Sequence, residues 1–181
     1  MSNCVCTYST STCLHDAGYT AGSVYSSAGG AADYVCLADD PVWGEYDDMA
    51  QSHPARIYGT EYQFKQQYSD GGAAFFGQNM YEHDVPCVAC HTPRHATIMI
   101  PGRNQCYPGW SMEYWGYLVS SADTFSTASN YACLDSRPEV EAGDQNNDNG
   151  RLMYVVEAVC GSLKCPPYVD NREIACVVCS K

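Results

Sequence analysis

Cys-x-x-Cys occurs twice in this chain, and no other feature limits its fold so strongly. Val85-Pro86-Cys87-Val88-Ala89-Cys90 lies near the middle, and Ile174-Ala175-Cys176-Val177-Val178-Cys179 lies at the C-terminal end. The motif admits three chemistries: a zinc knuckle, a redox centre or part of a disulfide framework. Zinc would take Cys87 and Cys90 with His83, His91 or His95, since Cys and His are its preferred ligands. The second motif has no histidine beside it, and most of the twelve cysteines would be left without a role. A redox site needs an exposed thiol with a lowered pKa. Val-Ala and Val-Val between the cysteines supply neither polarity nor positive charge. Within a strand, side chains three positions apart face opposite sides. Each motif therefore suits two separate bridges better than one bridge within itself.

Twelve cysteines in 181 residues point to an oxidising compartment. The start, Met1-Ser2-Asn3-Cys4, has neither a basic stretch nor an apolar block. The chain is expected to be the mature form of a secreted, extracellular protein. No apolar run approaches the roughly 18 residues of a membrane-spanning helix. The net charge is -12 with only 9 Lys and Arg, which repels phosphate. Nucleic acid and anionic membranes are thus not expected as partners. The 15 tyrosines favour binding surfaces, because each offers an apolar ring with a polar tip.

Read in order, residues 1–12 are small, polar and β-prone, an N-terminal arm. Strand composition recurs around Tyr34-Val35-Cys36-Leu37, over Ile57–Phe64 and at Thr97-Ile98-Met99-Ile100, separated by Gly, Ser and Asp stretches. Sustained helical periodicity is scarce. The second half repeats the plan. Cys, Cys and Cys-x-x-Cys follow in the same order at 13, 36, 87/90 and at 106, 133, 176/179. Tyr34-Val35-Cys36-Leu37 answers Tyr131-Ala132-Cys133-Leu134, and Tyr58-Gly59-Thr60-Glu61 answers Tyr154-Val155-Val156-Glu157. Gly22-Ser23-Val24-Tyr25 is matched with Gly116-Tyr117-Leu118-Val119. The expected fold is mostly β and disulfide-rich, with two tandem pseudo-symmetric β subdomains from an internal duplication. The expected units are an arm at 1–12, a first half-domain at 13–103 and a second at 104–181.

Pro86-Cys87-Val88-Ala89-Cys90, Ile98-Met99-Ile100-Pro101, Cys106-Tyr107-Pro108-Gly109-Trp110, Trp115-Gly116-Tyr117 and Cys176-Val177-Val178-Cys179 carry a resemblance. Together they resemble the C-terminal non-collagenous domain of type IV collagen, nearest to its form in short-chain, spongin-type collagens. The resemblance runs from about residue 13 to the end. It implies nested bridges: Cys13 with Cys90, Cys36 with Cys87, Cys106 with Cys179 and Cys133 with Cys176. It also implies a short-loop bridge in each half. Cys160 and Cys165 supply the one in the second half, and the first half has no counterpart. Cys4 and Cys6 stand upstream instead, intermolecular or unassigned. No Gly-X-Y tract is present, so triple-helix nucleation is not implied. What the resemblance implies is an extracellular module that assembles with copies of itself.

Other sites are weaker. Asp144, Asn146 and Asp148 place oxygens at alternate positions, a pattern calcium accepts, though the loop lacks the glycine and glutamate spacing of an EF-hand. Beyond a possible structural calcium no cofactor is expected. Asp39, Asp40, Glu45, Asp47 and Asp48 read as a solvated acidic loop. Glu61 and Glu157 hold equivalent places in the two halves, where acid–base work competes with a structural role. No nucleophile, metalloprotease or phosphate-loop motif is present, and the chain is not expected to be an enzyme. Two functions fit. One is a self-assembling structural protein of matrix or fibre, with copies of itself and other matrix proteins or glycans as partners. The other is a lectin-like module binding glycans or other ligands through Trp43, Trp110, Trp115 and the tyrosines.

Overall fold

A computed structural model describes residues 12–13 (backbone alone), 18–52, 54–143 and 145–181. The described residues are mostly β, with four close cysteine pairs. The strands are β1 (Thr12–Cys13), β2 (Gly18–Gly22), β3 (Val35–Ala38), β4 (Tyr58–Tyr62), β5 (Pro86–Cys87) and β6 (Cys90–His91). They continue as β7 (Thr97–Pro101), β8 (Ser111–Ser120), β9 (Ala132–Asp135), β10 (Arg151–Val155) and β11 (Ala175–Ser180). The α-helix α1 is a single turn, Ala73–Phe76. Asp70 starts it, its carboxylate accepting the N–H groups of Gly72 (3.0 Å) and Ala74 (2.9 Å). Gly77, at φ 83°, ends it.

One curled sheet runs β3-β2-β4-β10-β8-β11-β7, with β5 beside β2 and β9 beside β8. β4 and β10 pair in parallel, Thr60 opposite Arg151, and this pair joins the two halves of the chain into one sheet. Around β2 and β8 the registers correspond. Gly18 faces Ala38 and Cys87, as Gly116 faces Asp135 and Cys176. Gly22 faces Tyr58, as Ser120 faces Tyr154. Isolated bridges link Glu61 with Asp84 and Glu157 with Glu173. In this register Gly116 answers Gly18, whereas the sequence match sets it against Gly22. The backbone partners of Cys87 and Cys176 fix this register, whereas the similarity of the Gly-Ser-Ala stretches is compositional. β7 extends the sheet beyond β11, with Ile98 opposite Cys179.

The larger core ignores the boundary between halves. Tyr34, Tyr62, Phe64, Phe76, Met80 and Val85 pack with Val119, Leu134, Met153 and Val155. Phe64 stacks on Phe76 at 5.0 Å between ring centres, and Phe76 meets Tyr117 edge-on at 5.5 Å. A smaller cluster of Tyr114, Leu118, Cys133, Cys176 and Val178 draws its buried members from the second half, with Met99 of β7 packed against it. Among the described residues, no helix is long and apolar enough to cross a membrane.

Candidate functional site

Cys36 is bonded to Cys87, Cys106 to Cys179, Cys133 to Cys176 and Cys160 to Cys165, with Cα atoms 5.8–6.0 Å apart. Cys87 is thereby removed from thiolate or zinc chemistry. The backbone of β1 runs antiparallel to β6 and sets Cys13 opposite Cys90. The side chain of Cys13, and Cys4 and Cys6 altogether, lie outside the described residues.

Arg151 occupies the joint between the halves and is 0% exposed. It opens β10, where an apolar run would be expected to begin with an apolar residue. Its guanidinium donates to the carbonyls of Ser23 (3.2 Å), Ala32 (3.0 Å) and Ala128 (3.4 Å). Its flat face lies 4.9 Å from the centre of the Tyr34 ring, a cation–π contact in a desolvated place. Burial pushes the Tyr34 hydroxyl above its ordinary pKa, with the nearby Arg151 charge opposing. The niche sits in the mouth between the 23–34 loop and β4. Beside it, Gly150 accepts from the Tyr25 N–H through its carbonyl (3.0 Å) and donates to the Glu61 carboxylate (3.4 Å). A side chain at Gly150 would collide with the Gly59 carbonyl, so only glycine lets β10 approach this closely.

The second half has a mouth in the corresponding place, between the 121–131 loop and the end of β10. It is an open cleft of about 710 Å³. Ser120, Ser121, Ser129, Tyr131, Tyr154 and Glu157 are among its walls, and its lining includes Asp123 but neither lysine nor arginine. The Ser121 N–H donates to the Ser129 hydroxyl (2.7 Å), which fixes the loop. The Ser121 hydroxyl is shielded from solvent and has no hydrogen-bond partner. Gln67 seals one end: its side-chain amide accepts from the Val155 N–H (2.8 Å) and donates to the Val155 carbonyl (2.7 Å), as a neighbouring strand would. Tyr131 is 62% exposed, whereas Tyr34, its counterpart before the matching cysteine strand, is 4% exposed.

No protein-family model, curated protein or solved structure matches the chain.

Of the carboxylates and tryptophans singled out by sequence, Glu157 lines this cleft and the others are not part of its lining. Glu61 is buried and Glu157 exposed, so the two carboxyls share a topological place but not an environment. Desolvation raises the Glu61 pKa, against hydrogen bonds from the Gly150 and Asn149 backbone that lower it. Asp144 lies outside the described residues. Asn146 and Asp148 are exposed, and the Asp148 N–H donates to the Asn146 carbonyl (2.9 Å). Among the described residues, no group of three His, Cys, Asp or Glu side chains is placed to share a metal. Asp39, Asp40, Glu45, Asp47 and Asp48 lie on an exposed segment with Trp43. Trp110 carries the Lys181 ammonium 5.9 Å from its ring centre, and Trp115 packs beside Tyr117. Arg151 and the serine-lined mouth were not singled out by sequence. The available signal was a lone arginine opening the apolar run Arg151-Leu152-Met153-Tyr154-Val155-Val156.

Proposed function

We propose that the protein is a secreted structural building block, with two halves descended from an internal duplication, that assembles with copies of itself. The observation that carries this reading is the joint between the halves. Residues 149–153 of the second half fill the mouth of the first and pair with β4. The corresponding residues of the first half, 54–57, precede β4 without regular structure and are exposed. The corresponding mouth of the second half is the open cleft, and Glu157 and Val159 on its rim are exposed as well. One end of each chain therefore offers what the other end accepts. A contact of this kind is heterologous, closing into a ring or continuing as a fibre according to its rotation.

Three further features support this reading. Val42, Trp43, Tyr46 and Met49 stand almost free of the body, Val42 at 96% exposed, more apolar surface than an isolated soluble domain usually leaves in one segment. The disulfides fit an extracellular site of action. The resemblance to the type IV collagen C-terminal domain favours the same reading. Static light scattering over a concentration series tests it: the mean mass should rise with concentration and fall back when Val159→Arg is introduced. A strictly monomeric species at every concentration would sink the proposal.

A further inference from the structure

The joint also specifies a ligand chemistry. Beyond a bond to the Ala128 carbonyl across the joint (3.4 Å), the Arg151 guanidinium is held in the first half by the carbonyls of Ser23 and Ala32 and by the face of Tyr34. By strand register these three residues correspond to Ser121, Ser129 and Tyr131. All three line the open cleft, which adds the carboxylates of Asp123 and Glu157. We propose that this cleft is a receptor for a guanidinium group, presented as the arginine side chain of another polypeptide.

The chemistry selects arginine over lysine. A guanidinium is planar, so its fork of N–H groups reaches acceptors on two walls while its face lies on a tyrosine ring. An ammonium is a compact, strongly hydrated point charge and does not do both. The acidic lining and the absence of lysine or arginine from it favour a cation. The inference rests on the correspondence of the two halves proposed above, but not on self-association. In a head-to-tail contact between copies, Ala55 takes the register position of Arg151. Arg56 comes one residue later, and on an extended segment it faces the opposite way. A plain repeat of the joint therefore leaves the niche for an arginine from elsewhere.

The probe is N-acetyl-arginine amide, titrated into the full chain and followed by NMR shifts, with N-acetyl-lysine amide alongside. Saturable binding of the arginine probe in the millimolar range is expected, at least tenfold tighter than the lysine probe. Tyr131→Ala, an exposed position, should abolish the preference while circular dichroism stays unchanged. Equal binding of the two probes, or a preference that survives Tyr131→Ala, overturns the proposal. Arg56→Ala distinguishes the source. No change in probe binding is expected; tighter probe binding together with weaker self-association would show that the chain's own arginine fills the niche and would overturn the assignment to an arginine from elsewhere. Light scattering on the same samples keeps the two readings apart, because a monomer that binds the arginine probe defeats assembly alone.

Discussion

Glu61 is 2% exposed and accepts from the Gly150 N–H, at the point where the second half enters the first. Burial holds its pKa above the ordinary carboxylate value. Between that ordinary value and the raised one, the folded protein keeps a proton that the unfolded chain has released. Stability contributed by this residue therefore falls as pH rises through that window and is flat above it. Glu61→Gln keeps an acceptor for Gly150 but cannot ionise. Urea midpoints measured from pH 4 to pH 8 should decline less for Glu61→Gln than for the parent; parallel curves would refute the assignment. Arg151 is the opposite case, a buried charge whose partners are carbonyls and a ring. It would have been unreadable from sequence, because an arginine before an apolar run usually marks a solvated strand end. Only the parallel β4–β10 pair reveals that the strand end is inside.

At the scale of elements, close approach decides the sheet. A Cβ on Gly116 would strike the Leu134 carbonyl oxygen and come within 2.7 Å of the Asp135 carbonyl carbon. Gly116→Ala should force β9 off β8 and cost about 3 kcal/mol or more. Gly59→Ala, where nothing lies within 4 Å, should cost less than about 1 kcal/mol. Equal urea midpoints for the two variants would contradict this account. Much at this scale was legible beforehand. Tyr34-Val35-Cys36-Leu37, Ile57–Phe64 and Thr97–Ile100 announce strands through β-branched and aromatic residues; β3, β4 and β7 lie there, β4 stopping at Tyr62 before a 3-10 turn at Phe64–Gln66. The Cys-x-x-Cys flanks marked the strands that carry two bridges in the second half. The stretch Val24-Tyr25 has strand composition but lies in the loop that receives Arg151, with Tyr25 edge-on against Phe125 at 4.9 Å. Composition reports a residue's preference for a half-buried surface, and a loop packed against another half supplies such a surface too. The open cleft had no sequence signal, because its serines are ordinary loop residues until the register sets them beside Tyr131.

The whole molecule should unfold as one unit, since the main cluster draws on both halves. The Cys36–Cys87 bridge closes a span of 51 residues, which in the chain-entropy model stabilises the fold by about 4 kcal/mol. Replacing both cysteines by serine should lower a single unfolding transition, with tryptophan fluorescence and circular dichroism coinciding. Two separated transitions would show instead that the halves melt independently. The arrangement of β11 sets a clock on synthesis. This strand lies between β8 and β7 and brings both Cys176 and Cys179, which Cys133 and Cys106 need. Cys106 waits for a partner 73 residues downstream, roughly 4–15 s at ordinary rates of chain elongation. Until then its thiol either stays reduced or pairs wrongly, so its native bond forms only after β11 has emerged, directly or by thiol–disulfide exchange.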